Sequence, residues 1–145
     1  MKKVLMLIYF YGVLMLLSSC VGTVGAGATN NAEIHIGSSI MFSEAEIQLA
    51  IGVTLEKFRD FRGCDLLQLR YDEDESNKHI EMYMRYGRGS INGVEQENVI
   101  VLFSDFYAGS RACPSLNRNS MHIGWNWILI RESQTCEWVV DDWGY

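Results

Sequence analysis

The sequence predicts an α+β domain in which N-terminal helices pack on a curved, mostly antiparallel sheet. Two observations predict it. A capped amphipathic helix and a second short helical segment fill the first half of the domain. Three long, aromatic-rich stretches with strand character fill the second half. The composition agrees with one folded unit: of 145 residues, 48% are hydrophobic and 21% charged, and Pro114 is the single proline. Such a chain is too apolar for disorder and too short for two domains. Its net charge of −6 argues against a nucleic-acid partner, which needs a basic surface.

The domain is expected from Ala32 to Tyr145. Ile34, Ile36 and Ile40 suggest a short lead-in strand. Ser43-Glu44-Ala45-Glu46 is a capping box: the Ser43 hydroxyl can accept the amide three residues on, and Glu46 can reach back to the Ser43 amide. Ile47, Ile51, Leu55 and Phe58 then fall on one helical face, so 44–61 is predicted as a helix that stops by Gly63. Cys64–Tyr71 reads as a half-buried strand with Leu67, Leu69 and Tyr71 on one face and Gln68 and Arg70 on the other. An acidic break at 72–77 resembles half of a calcium loop. It has Asn77 where glycine belongs and Tyr83 where the bidentate glutamate belongs, so it reads as a solvated charge run. A second helix is expected over 75–86 and a glycine-rich loop over 87–93.

Three strands follow. Residues 98–107 (NVIVLFSDFY) are apolar on both faces, as a central strand requires. A polar loop covers 108–120. Strands at 121–131 and 135–143 flank Glu132-Ser133-Gln134 as a hairpin.

The first twenty residues read as an address. Lys2 and Lys3 precede fourteen uncharged residues, Val4–Leu17. That run is shorter than the roughly 20 residues needed to cross a bilayer and fits a secretory signal. Leu17-Ser18-Ser19-Cys20 resembles the bacterial lipobox. The resemblance implies a diacylglycerol on the Cys20 thiol, cleavage after residue 19, and a fatty acyl group such as palmitate on the new amino terminus. Several acyl chains hold a protein on a membrane far better than one. Loss of both lysines would take the net charge from −6 to −8, so the lipid and not the acidic surface must anchor the chain. Residues 20–31, rich in glycine and small side chains, are expected as a flexible tether. The implied location is the extracytoplasmic face of a cell membrane, in the cell envelope.

That location permits disulfides, and three cysteines remain beyond Cys20. Cys113 with Cys136 is the expected pair, because the segments that carry them look adjacent in the sheet. Cys64 reads as a buried small hydrophobe. No Cys-His cluster has zinc spacing, and no HExxH, GxSxG or phosphate-loop pattern occurs. The sequence therefore implies no metal and no cofactor.

The ending Trp138-Val139-Val140-Asp141-Asp142-Trp143-Gly144-Tyr145, with 98–105 and 125–131, is similar to small NTF2-like bacterial lipoproteins over about residues 42–145. This resemblance implies a cone-shaped sheet that can enclose a pocket. On strand alternation, Asp105 shares a face with Val101 and Phe103, Arg131 with Trp125 and Trp127, and Asp141 with Trp143. If all these faces line the cone, Asp105, Asp141 and Arg131 meet among aromatics, where a carboxylate could serve as a general base. A rim salt bridge is the plainer reading of the same residues. The four tryptophans fit either core filling or a surface that grips a sugar or a partner. His35, His79 and His122 are scattered. The leading expectation is a membrane-anchored binding or accessory module whose partner is an envelope protein or a small apolar ligand. The alternative is a small hydrolase or isomerase that uses a pocket carboxylate.

Overall fold

The computed structural model describes residues 24–145. Residues 1–23, on which the expected signal segment and Cys20 fall, lie outside the described residues. The elements run β1 (Glu33–Ile36), α1 (Glu44–Phe58), β2 (Cys64–Tyr71), α2 (Glu73–Tyr86), the single-turn α3 (Gly89–Asn92), a 3-10 turn at Gln96–Asn98, β3 (Val99–Ala108), β4 (Ser120–Ile130) and β5 (Val139–Gly144). The five strands form one sheet in chain order. β1 is parallel to β2, and every later pair is antiparallel. The domain is therefore α+β with a mostly antiparallel open sheet. No helix among the described residues is long and apolar enough to cross a membrane.

Local chemistry sets the helices. The Ser43 hydroxyl accepts the Glu46 amide while Glu46 accepts the Ser43 amide at 2.8 Å, so the capping box is complete. Asp72 accepts the Glu75 amide at 2.9 Å and starts α2, which is the role of the acidic run there. Glu73 reaches out of that run to the Ile40 and Met41 amides and to Ser39. These bonds, the Ser39 one foremost, hold its carboxyl below the ordinary range.

The two main helices do not share a layer, contrary to the single helical layer the sequence suggested. Ile100, Leu102, Phe106 and Ala108 of β3 face α1, in a core with Ile47, Ile51, Phe58, Trp127 and Leu129. Val99, Val101 and Phe103 face the opposite way, against Ile80 and Tyr83 of α2. Period-two alternation on a strand apolar on both sides makes both packings possible at once. α2 also repairs the sheet. Beyond the end of β2 the Val101 amide would lack a strand partner, and the buried Ser76 hydroxyl accepts it at 3.1 Å.

Two segments depart from the pattern their sequence suggests. A bulge between Leu66 and Gln68 breaks the alternation of β2, so Leu66 joins Leu69 and Tyr71 in the core and Leu67 turns outward. The segment 24–31, expected as tether, is docked. Gly27 donates to Arg59 O at 3.0 Å, Ala28 donates to Cys64 O at 2.9 Å, and Ala28 accepts the Leu66 amide at 2.8 Å. Gly27 is small because of close approach and not for flexibility: a Cβ there would lie 2.3 Å from the Phe58 carbonyl oxygen.

Candidate functional site

Asp105, Asp141 and Arg131 do not converge. Asp105 lies on the α2 side of β3 and accepts the Gly124 amide at 2.8 Å, which fastens a register shift between β3 and β4. A bulge in β5 separates Asp141 from the Trp143 face. Asp141 accepts the Tyr83 hydroxyl at 2.7 Å and pairs with Arg88 at 3.1 Å. Burial, then the Asp141 bond, pushes the Tyr83 phenol well above its ordinary value. Arg131 lies across the sheet, on the α1 side. Its guanidinium donates to Glu46 at 2.8 Å and to Asn98 at 3.3 Å, and it sits 4.3 Å from the Trp138 ring centroid. All three are structural ties, and each has a partner suited to that work.

What the α1 face does carry is an aromatic cleft. Its volume is about 400 Å³, and its apolar walls are Phe61, Leu116, Trp125 and Trp143. Lys57 and Asp60 form one lip, Cys113 and Ser115 another. Four elements converge on it. Phe61 follows α1 and stacks on Phe58 at 5.4 Å. Leu116 hangs from the β3–β4 loop. Trp125 comes from β4, and Trp143 from β5, where it stacks on the buried Trp127 at 6.4 Å. Lys57 spans the lip, 4.9 Å from the Trp143 centroid and 3.0 Å from Asp60. The Trp125 indole nitrogen is buried and finds no acceptor among the described residues.

The tryptophans therefore divide. Trp127 and Trp138 are core, and both donate: Trp127 to Ser104 at 2.8 Å and Trp138 to Glu46 O at 3.1 Å. Trp125 and Trp143 are cleft wall. Behind Trp125, His122 stacks on Phe106 at 4.7 Å and shares a 3.0 Å hydrogen bond with the Tyr145 hydroxyl, so this histidine is a packed structural group. Neither Phe61 nor Leu116 stood out in the sequence. The Phe58/Phe61 spacing at the end of a helix was their one signal.

The expected Cys113–Cys136 bridge is absent. Cys113 sits in the β3–β4 loop and Cys136 in the β4–β5 loop, at opposite ends of the eleven-residue β4. Adjacent strands share a sheet, but their connections alternate between its two ends. Eleven residues of strand span roughly 35 Å, far beyond a disulfide. Cys64 is buried as expected, and burial pushes its thiol up to about 11. Cys113 is exposed, and hydrogen bonds with Ser115 hold its thiol below the ordinary value.

The family model described as a domain of unknown function, DUF4829, matches residues 44–144. The chain belongs to this family. The matched region runs from the first residue of α1 to the last of β5 and includes every residue that lines the cleft. Searches of curated proteins and of solved structures find no match.

Proposed function

We propose that this DUF4829 protein is a membrane-anchored lipoprotein of the cell envelope. Its extracytoplasmic domain binds a small apolar ligand carrying a flat ring in the Phe61–Leu116–Trp125–Trp143 cleft. The observation that carries the ligand reading is the buried Trp125 indole N–H, without an acceptor among the described residues, at a cleft walled by two tryptophans and a phenylalanine. Such a pocket is mostly apolar with a few polar groups to orient its guest. Anchoring rests on Cys20 and the lipobox-like Leu17-Ser18-Ser19 before it. The NTF2-like part of the reading rests on the sequence motifs. α1 packed on one face of a mostly antiparallel sheet supports it, while α2 on the other face departs from a one-sided cone. The hydrolase or isomerase alternative loses its geometry, because Asp105 and Asp141 lie across the sheet from Arg131 and each holds a structural hydrogen bond.

Two experiments test this. Labelled palmitate should enter the wild-type chain in a bacterial host and not the Cys20→Ala chain, and the label should follow the membrane fraction. Equal labelling of both chains would sink the anchoring. For the cleft, anilinonaphthalene sulfonate supplies a flat apolar probe. It should bind the purified protein and quench tryptophan emission, and Trp143→Ala should weaken binding at least tenfold. Unchanged affinity in that variant would remove the cleft as the site and favour a protein partner.

A further inference from the structure

We infer that Cys64 and Cys113 are a dithiol pair that closes into a disulfide between the start of β2 and the β3–β4 loop. The backbone brings them together. Cys64 pairs in register with Ala108 at the end of β3. The next residue, Gly109, donates to Gly63 O at 2.9 Å, and the turn from Gly109 to Ala112 closes at 3.1 Å. That turn folds the loop back over Gly63. A Cβ on Gly63 would lie 2.9 Å from the Arg111 carbonyl carbon and 3.0 Å from the Ala112 nitrogen. Gly63, at φ +73°, is thus held in contact with the residues just before Cys113. Cys64 and Ala112 belong to the same buried cluster, so the residue before Cys113 is part of the core that Cys64 joins. Charge on Cys113 is also felt at the Cys64 thiol. A disulfide needs Cα atoms about 4.4–6.8 Å apart, a separation the loop has to reach as it closes over Gly63.

The two thiols have complementary chemistry. Cys113 is exposed beside Ser115, with its Sγ 3.1 Å from the serine hydroxyl, and is the one a soluble reagent can reach. Cys64 is buried. With a low-molecular-weight disulfide as oxidant, the Cys113 thiolate attacks one sulfur. The S–S bond of the reagent breaks, one reagent thiolate leaves and takes a proton from water, and a mixed disulfide remains on Cys113. Cys64 then loses its proton and displaces the second reagent thiolate, which closes the intramolecular bond. Two protein thiols are oxidised, and one reagent disulfide is reduced to two thiols. Cys136, at the far end of β4, takes no part. The bond would pin the loop that supplies Cys113, Ser115 and Leu116 to the cleft, but the inference does not depend on what the cleft binds.

The test uses the full chain in detergent micelles. It is incubated with oxidised glutathione, alkylated with iodoacetamide and mapped by mass spectrometry without reduction. The expected product is a Cys64–Cys113 linked peptide with Cys136 alkylated. In the Cys113→Ser chain, whose change is at an exposed site, Cys64 should remain an unoxidised thiol. Three results would overturn the inference: a persistent glutathione adduct on Cys113 beside a free Cys64, a link from either residue to Cys136, or no oxidation of Cys64.

Discussion

At the N-terminal end of α1, Trp138 donates its indole N–H to Glu46 O, and its ring supports the Arg131 guanidinium. At the C-terminal end, Trp125 and Trp143 wall a cleft, and the Trp125 N–H has no acceptor among the described residues. Both ends use tryptophan against the same helix and the same sheet face. One end is closed because the α1 backbone accepts the indole N–H and Glu46 and Asn98 accept from the buried guanidinium. The other stays open because the chain turns away after Phe58 and leaves ring surface without cover. The difference teaches that an aromatic-rich face becomes core or site according to whether the backbone brings hydrogen-bond partners to it.

The largest way to break this contrast is at the closed end. Arg131 has a 4% exposed side chain, and its ion-pair partner Glu46 also completes the α1 cap. Glu46→Ala removes the cap partner and strands a buried guanidinium. It should lower the unfolding free energy by about 3 kcal/mol in urea titrations. The core tryptophans come next. Trp127→Phe leaves a cavity and takes the indole donor from the Ser104 hydroxyl, and should cost roughly 2 kcal/mol by the same measurement.

Acid sharpens the same point. Hydrogen bonds from Ser43, then the Arg131 guanidinium, hold the Glu46 carboxyl below its ordinary value of 4.5. A carboxylate depressed in the folded state stabilises it fully above the ordinary value and loses that contribution as pH falls through the folded value. Wild-type stability should therefore decline below about pH 4.5, and Glu46→Gln should make that decline shallower in acid-titration melts.

The smallest expected effect lies at the open end. Trp125→Phe removes a donor that is already unpaired, and the lost volume opens onto the cleft. Its stability should stay within about 0.5 kcal/mol of wild type, and a loss like that of Trp127→Phe would mean Trp125 belongs to the core.

Much of the architecture was legible in the chain. The capping box at Ser43, the four-four-three spacing of Ile47, Ile51, Leu55 and Phe58, and the two-faced apolar run of β3 each placed an element within a few residues. Less was legible where one residue shifts the phase. The bulge after Leu66 exchanged Leu67 for Leu66 in the core, and the bulge in β5 parted Asp141 from Trp143. The cleft was half legible, since the tryptophans stood out while Phe61 and Leu116 did not.

By itself the sequence determined the helices, the strands and their order, because capping and periodicity are set by neighbours a few residues apart. Only the tertiary structure decided that α1 and α2 take opposite faces, that Cys113 emerges at the end of the sheet where Cys64 lies and not where Cys136 does, and that Asp105 and Asp141 lie across the sheet from Arg131. Those outcomes depend on register, bulges and the end of the sheet at which each loop emerges. All of these are fixed by contacts between residues tens of positions apart, and local pattern carries no record of them.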